Sequence, residues 1–283
     1  MSTPFLTGSY ITVEEFRAAP TALQTNNLVP GGNQATQDAE LAGLIARASR
    51  WIDSVARQPL YATQGSQNET ARVNGPDVLL HAKQDRVKSL DAFSWGHTWS
   101  SLNIMAAPFS MFLEESRIRV ALSNTGVAWR GGLSAMFQPT SGSVFVQWTF
   151  TAGWATTRLT GAQTIGQSVV VVDNPTGIVP GTQLRFSAGA VQNTYIALSV
   201  AGSSVTLTSA LIEGWPAQAG VSEVPDDIKE ACILATTHYI KEHKGSGLVM
   251  AKVPTENKPT KKEIGRELDQ ALLLAKRYER LAT

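Results

Sequence analysis

A reaction centre in this chain would have to be built from four histidines, one cysteine and one pair of adjacent aspartates. His81, His97, His238 and His243 are scattered along the sequence. His238 and His243 fall on one helix but five positions apart, so they do not share a face as an i, i+4 metal pair would. The single cysteine, Cys232, excludes an internal disulfide and any cysteine-built zinc site, and its helical neighbours make it a small buried hydrophobe. Asp226 and Asp227 suggest paired carboxylates, but adjacent helical side chains diverge, and capping of a helix start accounts for both. No Gly-x-Gly-x-x-Gly follows a strand, and there is no phosphate-binding loop and no His-Glu-x-x-His. The sequence therefore predicts no enzyme, no cofactor and no metal site. Asn68-Glu69-Thr70 matches a glycosylation sequon, which carries no meaning in a cytosolic chain.

One basic stretch stands out. Lys241, Lys244, Lys252, Lys258, Lys261, Lys262 and Arg266 share it with only Glu242, Glu256 and Glu263. Two readings fit: a solvated loop, or a patch that touches DNA phosphates when many copies surround a channel, with Lys241, Lys244 and Lys252 as its centre. Overall charge adds nothing, since the net value is +1, so a nucleic-acid case must rest on local patches. Seven tryptophans raise carbohydrate binding. Trp51 and Trp148 fall on apolar faces and read as core. Trp95, Trp99 and Trp129 fall in expected loops and read as interface anchors.

The elements that carry these residues follow from periodicity. Val224-Pro225-Asp226-Asp227-Ile228 opens a helix to about His243: proline suits the first turn and the two acids suit the positive end. Ile228, Ala231, Cys232, Ala235 and Tyr239 recur at three and four, with Ile233, Leu234 and Ile240 broadening the face, so this helix is expected at the centre of a core. Thr12 with Glu15 makes a capping box for a short helix over 9–19, stapled by Ile11 and Phe16. A second helix is expected from a cap at Asp38 to Arg57, with Leu41, Leu44, Ile45, Ala48, Trp51, Ile52 and Val55 inward and Glu40, Arg47, Arg50 and Arg57 outward. A last helix should run from 261 to 282 behind a Thr260–Glu263 capping box.

Between 68 and 155 the period turns to two, with strands at 78–81, 87–93, 112–113, 118–120 and 144–150. Residues 158–221 differ in character, rich in Gly, Thr, Ser and Val, with Arg158, Arg185, Asp173 and Glu213 as their only charges. Strands at 169–172, 182–186, 194–200 and 204–208 suggest a small barrel, self-contained and inserted. The longest strongly apolar run, Val169–Val172, is far too short to span a membrane, and Met1–Phe5 has no basic signal-peptide start. The expected class is α+β: a helical core and antiparallel β unit (1–157 and 222–283) with an inserted small all-β domain (158–221).

These pieces, in this order, resemble the head–tail connector (adaptor) proteins of long-tailed double-stranded DNA phages and related gene transfer agents. The resemblance lies in Tyr10-Ile11-Thr12-Val13-Glu14-Glu15-Phe16, in Ala48-Ser49-Arg50-Trp51-Ile52-Asp53, and in Val78-Leu79-Leu80 followed by Arg86-Val87-Lys88-Ser89-Leu90. It continues in Phe150-Thr151-Ala152-Gly153-Trp154 and in the Val-Pro-x-Asp-Ile-Lys-x-Ala helix of Val224–Ala231. In that family the Gly-aromatic and Val-Pro motifs lie a few residues apart; here 158–221 separates them. The resemblance implies a structural virion protein of the neck, assembled in the host cytoplasm: a homo-oligomeric ring, usually of twelve copies, under the portal. It implies the portal protein and a tail stopper or terminator as partners, and double-stranded DNA in the channel without sequence specificity. Portal docking would fall to Arg277, Tyr278, Arg280 and Leu281. The competing expectation is a tail or baseplate module that recognises a glycan or receptor through the β insert.

Overall fold

The computed structural model describes residues 8–21, 23–74, 77–105, 111–114, 117–121, 141–244 and 261–280. The chain is α+β, and it divides into two compact units, residues 62–153 and the remainder.

In the larger unit, helix α1 (Val13–Ala18) starts from the expected capping box: Glu15 N donates to Thr12 Oγ1 at 3.1 Å and Thr12 N donates to Glu15 Oε2 at 2.8 Å. Helix α2 (Gln34–Ala56) begins five residues before the expected site, because Asn33 caps it through Thr36 N at 3.0 Å. Asp38 is not the cap; inside the helix it accepts from Gln34 Nε2 and pairs with Arg17. Arg57, in the left-handed region at φ 56°, ends the helix, and Gln58 N reaches back to Asp53 O at 3.2 Å.

Helix α3 (Asp226–Lys244) and helix α4 (Lys261–Ala275) complete the bundle. The last helix stops short of the expected residue 282, tightening into a 3-10 turn over Lys276–Tyr278 that swings Tyr278 inward. Ile228, Ala231, Cys232, Ala235 and Ile240 of α3 are all buried, among Leu41, Ile45, Ala48 and Ile52 of α2 and Ala271 and Ala275 of α4. The central place expected for α3 is where it lies.

The same unit holds a six-stranded antiparallel sheet. Its strands are β8 (Thr156–Arg158), β9 (Val169–Val171), β10 (Gln183–Ala188), β11 (Val191–Ala201), β12 (Ser204–Leu207) and β13 (Gly220–Ser222), in the order β8-β13-β10-β11-β12-β9. Its two end strands meet: Leu159 bridges Val172, Thr160 N donates to Val171 O at 3.0 Å and Asp173 N to Arg158 O at 2.9 Å. The sheet thus curls round until its first and last strands meet, in the manner of a small barrel. Its interior is its own core, with Phe186 edge-on to Tyr195 and Trp215 at 5.0 and 5.7 Å. Strands β8 and β13 carry the barrel slightly past 158–221 at both ends.

The smaller unit is one seven-stranded antiparallel sheet of β1 (Thr63–Asn74), β2 (Asp77–His81), β3 (Val87–Gly96), β4 (Asn103–Met105), β5 (Met111–Glu114), β6 (Arg117–Ala121) and β7 (Ser141–Ala152). Their order is β4-β3-β7-β1-β2-β6-β5. The five expected strands are present. Absent from the expectation are β4 and β1, although β1 pairs with β7 along its whole length from Thr63↔Ala152 to Asn74↔Ser141. Trp148, Phe93, Val146 and Leu80 fill this unit's core.

Candidate functional site

The start of α3 is tied by side chains to two neighbouring elements. Asp226 receives Arg185 of β10, with one bond at 3.0 Å, and that hydrogen bond holds its carboxyl below the usual range. Asp227 accepts from the Tyr278 hydroxyl at 2.7 and 2.9 Å, with Arg277 at 3.7 Å. The two acids diverge as expected. Beyond lying in the helix's first turn, one ties it to the barrel and the other to the C-terminal turn.

One turn further, Lys229 Nζ donates to Glu15 Oε1 at 2.6 Å, and Ser187 Oγ donates to the same oxygen at 3.0 Å. Both charged side chains are over nine-tenths buried. One carboxylate therefore joins α1, α3 and β10. Gly220 packs into this joint: a Cβ there would stand 2.8 Å from Ser187 Oγ and 3.1 Å from Thr12 Cγ2. The sequence reading did not find this cluster. Its one local signal is a lysine between Ile228 and Ala231 in an apolar stretch.

A second buried polar cluster gathers Tyr10, Ser49, Asp53 and Cys232. Tyr10's hydroxyl donates to Asp53, Leu60 N donates to Asp53 Oδ1 at 3.0 Å, and Tyr10 N donates to Ser49 Oγ at 3.2 Å. Burial raises the Asp53 carboxyl to about 6 and drives the Tyr10 hydroxyl upward. Burial likewise pushes the Cys232 thiol up to about 12, which keeps it a protonated packing group, the role expected of it.

The residues given functional roles from sequence fall in different places. Arg277 is exposed and reaches Asp227. Tyr278 is turned inward, stacked edge-on against Trp154 at 5.2 Å and bound to Asp227, so it braces the core. Arg280 N donates to Ala56 O at 3.0 Å; Leu281 lies outside the described residues. Lys241 pairs with Glu267 of α4, half-buried, and its charge is thereby committed inside the bundle. Lys244 ends α3, and Lys252 lies outside the described residues. Trp95 is in β3 and half-buried against the sheet core, not in a loop; Trp99 is 47% exposed and rests on Phe145 at 4.8 Å; Trp129 is outside the described residues. Trp148 is buried and Trp51 packs against the helical core, as expected.

His238 lies 3.7 Å from Glu242, and no group of three or more metal-ligating side chains occurs among the described residues. No described helix is long and apolar enough to cross a membrane. In the smaller unit, a cleft of about 670 Å³ is lined by Arg72, Asn74, Asp77, Leu79, Arg119 and Ser143.

No protein-family model matches the chain, and no curated protein matches it. Two chains of solved structures align along nearly their whole length. One is described as the neck of an empty GTA particle computed with C6 symmetry, at 12% identity and a TM-score of 0.38, covering 96% of this chain and 95% of that one. The other belongs to the virion of a native gene transfer agent (GTA) particle, at 11% identity and a TM-score of 0.32, with the same coverage.

Proposed function

We propose that this chain is a non-enzymatic virion component: an adaptor subunit that closes into a ring, twelve copies being the expected number, between portal and tail. Support begins with the ordered motifs that resemble the connector family, and one observation carries it further. The Gly-aromatic and Val-Pro motifs stand some seventy residues apart in sequence, yet they leave and re-enter the helical core side by side. Glu223 N donates to Ala155 O at 2.8 Å, Ala155 N donates to a Glu223 carboxylate oxygen at 3.2 Å, and Trp154 and Val224 share one core. Remove the barrel and the two motifs are neighbours, which is their arrangement in the family.

On this reading the barrel is an insertion into an adaptor body. The C-terminal turn, through the exposed Arg277 with Arg280 and Leu281, docks on the portal protein, and Tyr278 holds that turn in place. A tail stopper or terminator docks on the opposite side of the ring. The basic stretch that includes Lys244 and Lys252 is assigned to the passing duplex, while Lys241 serves the bundle. A ring of identical subunits needs heterologous contacts that close by rotation. The free protein is monomeric and closes only on the portal. Cryo-electron microscopy of the purified particle's neck tests this: density for the chain in a ring beneath the portal supports it, and density anywhere else overturns it. Glycan-array binding by the purified protein, without assembly on portal particles, would favour receptor recognition by the barrel instead.

A further inference from the structure

The solvent face of α2 carries an exposed basic stripe. Gly43, Arg47, Arg50 and Ser54 are exposed and follow one another by four, three and four, so they share one side of the helix, and the exposed Arg57 stands at its end, three residues on. Between Gly43 and Arg57 that side holds three arginines and no acid. Glu40 stands a turn ahead of Gly43, Asp38 is paired with Arg17, and Asp53 is turned inward to Tyr10.

Each arginine is exposed to an outside partner. The Arg47 guanidinium lies 4.3 Å from the centre of the Tyr239 ring, a cation–π contact that holds the cation beside α3 while the residue stays exposed. Arg50 has no ion pair among the described residues. Arg57 meets Glu279 at 3.1 Å, but its side chain is 64% exposed, and such surface pairs hold weakly.

Gly43 adds an independent observation. A Cβ at this position would meet nothing within 4 Å, so packing does not ask for glycine in mid-helix. The residue costs about 1 kcal/mol relative to alanine there. A bare backbone beside an arginine row suits a partner that approaches closely.

We propose that this face seats the phosphate backbone of duplex DNA without reading sequence. Arg47 to Arg57 spans about 15 Å of helix, and along that length a duplex presents about nine phosphates. Arginine meets phosphate in bidentate fashion, and the stripe offers no asparagine or glutamine to read base edges. That the phosphate polymer is duplex DNA rests on the proposed place in the neck; the phosphate chemistry does not.

The test is fluorescence anisotropy of the full-length protein with a short random-sequence duplex, between about 50 and 200 mM salt. The wild type should bind with a steep salt dependence. The triple variant R47Q/R50Q/R57Q, with an unchanged circular dichroism spectrum, should lower the slope of log K against log salt by about 2.7, at roughly 0.9 per phosphate contact. The lysine triple R47K/R50K/R57K should restore the slope, and K241Q should leave it alone. No wild-type binding at the low salt, or an unaltered slope in the glutamine triple, overturns the proposal. So does capture of an acidic protein by the stripe with no DNA binding. Density for the chain away from the portal would sink the neck reading and leave this salt slope standing, so the two failures are distinguishable.

Discussion

Substituting Lys229 by methionine isolates the buried joint between α1, α3 and the barrel. The lysine is about as long as methionine, so volume is nearly kept and the loss is electrostatic. Glu15 would retain Thr12 N at 2.8 Å and Ser187 Oγ at 3.0 Å, but its charge would stay buried with no counter-ion. Breaking one side of such a pair costs about 3–5 kcal/mol, mostly the desolvation of the remaining ion. Removing both charges should be far milder. In E15Q/K229M an amide at position 15 can accept from Thr12 N through its oxygen and donate its NH2 to Ser187 Oγ, a hydroxyl that can turn to accept, and exchanging a whole buried pair for neutral groups is often close to neutral. The double variant should therefore be more stable than K229M alone by about 2–3 kcal/mol. Urea unfolding followed by tryptophan fluorescence reads it, with Trp154 in the helical core and Trp215 in the barrel. If K229M loses less than about 1 kcal/mol, or if E15Q/K229M is no better than K229M, the account of this joint is wrong.

Asp53 should give stability a pH signature. Its folded value is about 6 against an ordinary 3.8, so the native state binds the proton more tightly than the unfolded chain does. The contribution is complete below the unfolded value and is lost as pH rises through about 6; D53N should flatten that part of a melting-temperature profile taken from pH 4 to 7 and stabilise the protein at neutral pH by up to about 2 kcal/mol. Y278F removes the donor to Asp227 and should cost about 1–2 kcal/mol, with faster amide exchange in the last turn of α4 as the readout. R277A should leave thermal stability unchanged and weaken binding to purified portal particles in a sedimentation assay. G96A should destabilise the smaller unit by about 1–3 kcal/mol, because a Cβ there would lie 2.3 Å from Ser101 O; G43A, with nothing nearby, should raise the melting temperature.

What the sequence made legible was what local chemistry writes. The Thr12–Glu15 capping box, the buried face of α3 and the barrel strands each rest on spacing within a dozen residues, and each is present. The cap of α2 misled because Asn33 and Asp38 are both good caps; Pro30-Gly31-Gly32 places the chain break before Asn33, and Arg17 takes Asp38. Strand β1 was invisible because Thr63–Asn74 is polar along most of its length. It is held by backbone pairing with β7, and its buried Gln67 is satisfied by His81 O and Lys83 N at 3.0 and 2.6 Å. The joint at Glu15 was beyond reach for another reason: Lys229 and Ser187 come from 214 and 172 residues away, and no periodicity records a contact of that range.

The barrel's attachment bears on what it is for. A module that merely hangs from a helical core needs only its two strands of entry and exit, and Ala155 with Glu223 would suffice. This barrel is bolted at further points, three of them near the start of α3: Arg185 on Asp226, Ser187 on the Glu15–Lys229 pair, and Gly220 against Thr12. These are directional, mostly charge-assisted contacts, which fix orientation more firmly than apolar packing would. Anything that pulls on the barrel thus pulls on the first turn of the helix at the centre of the core. That turn is also where Asp227 holds Tyr278, and with it the C-terminal turn proposed to dock on the portal. A load on the barrel therefore has a short, rigid route to the docking turn, through three hydrogen-bonded links and one helix end.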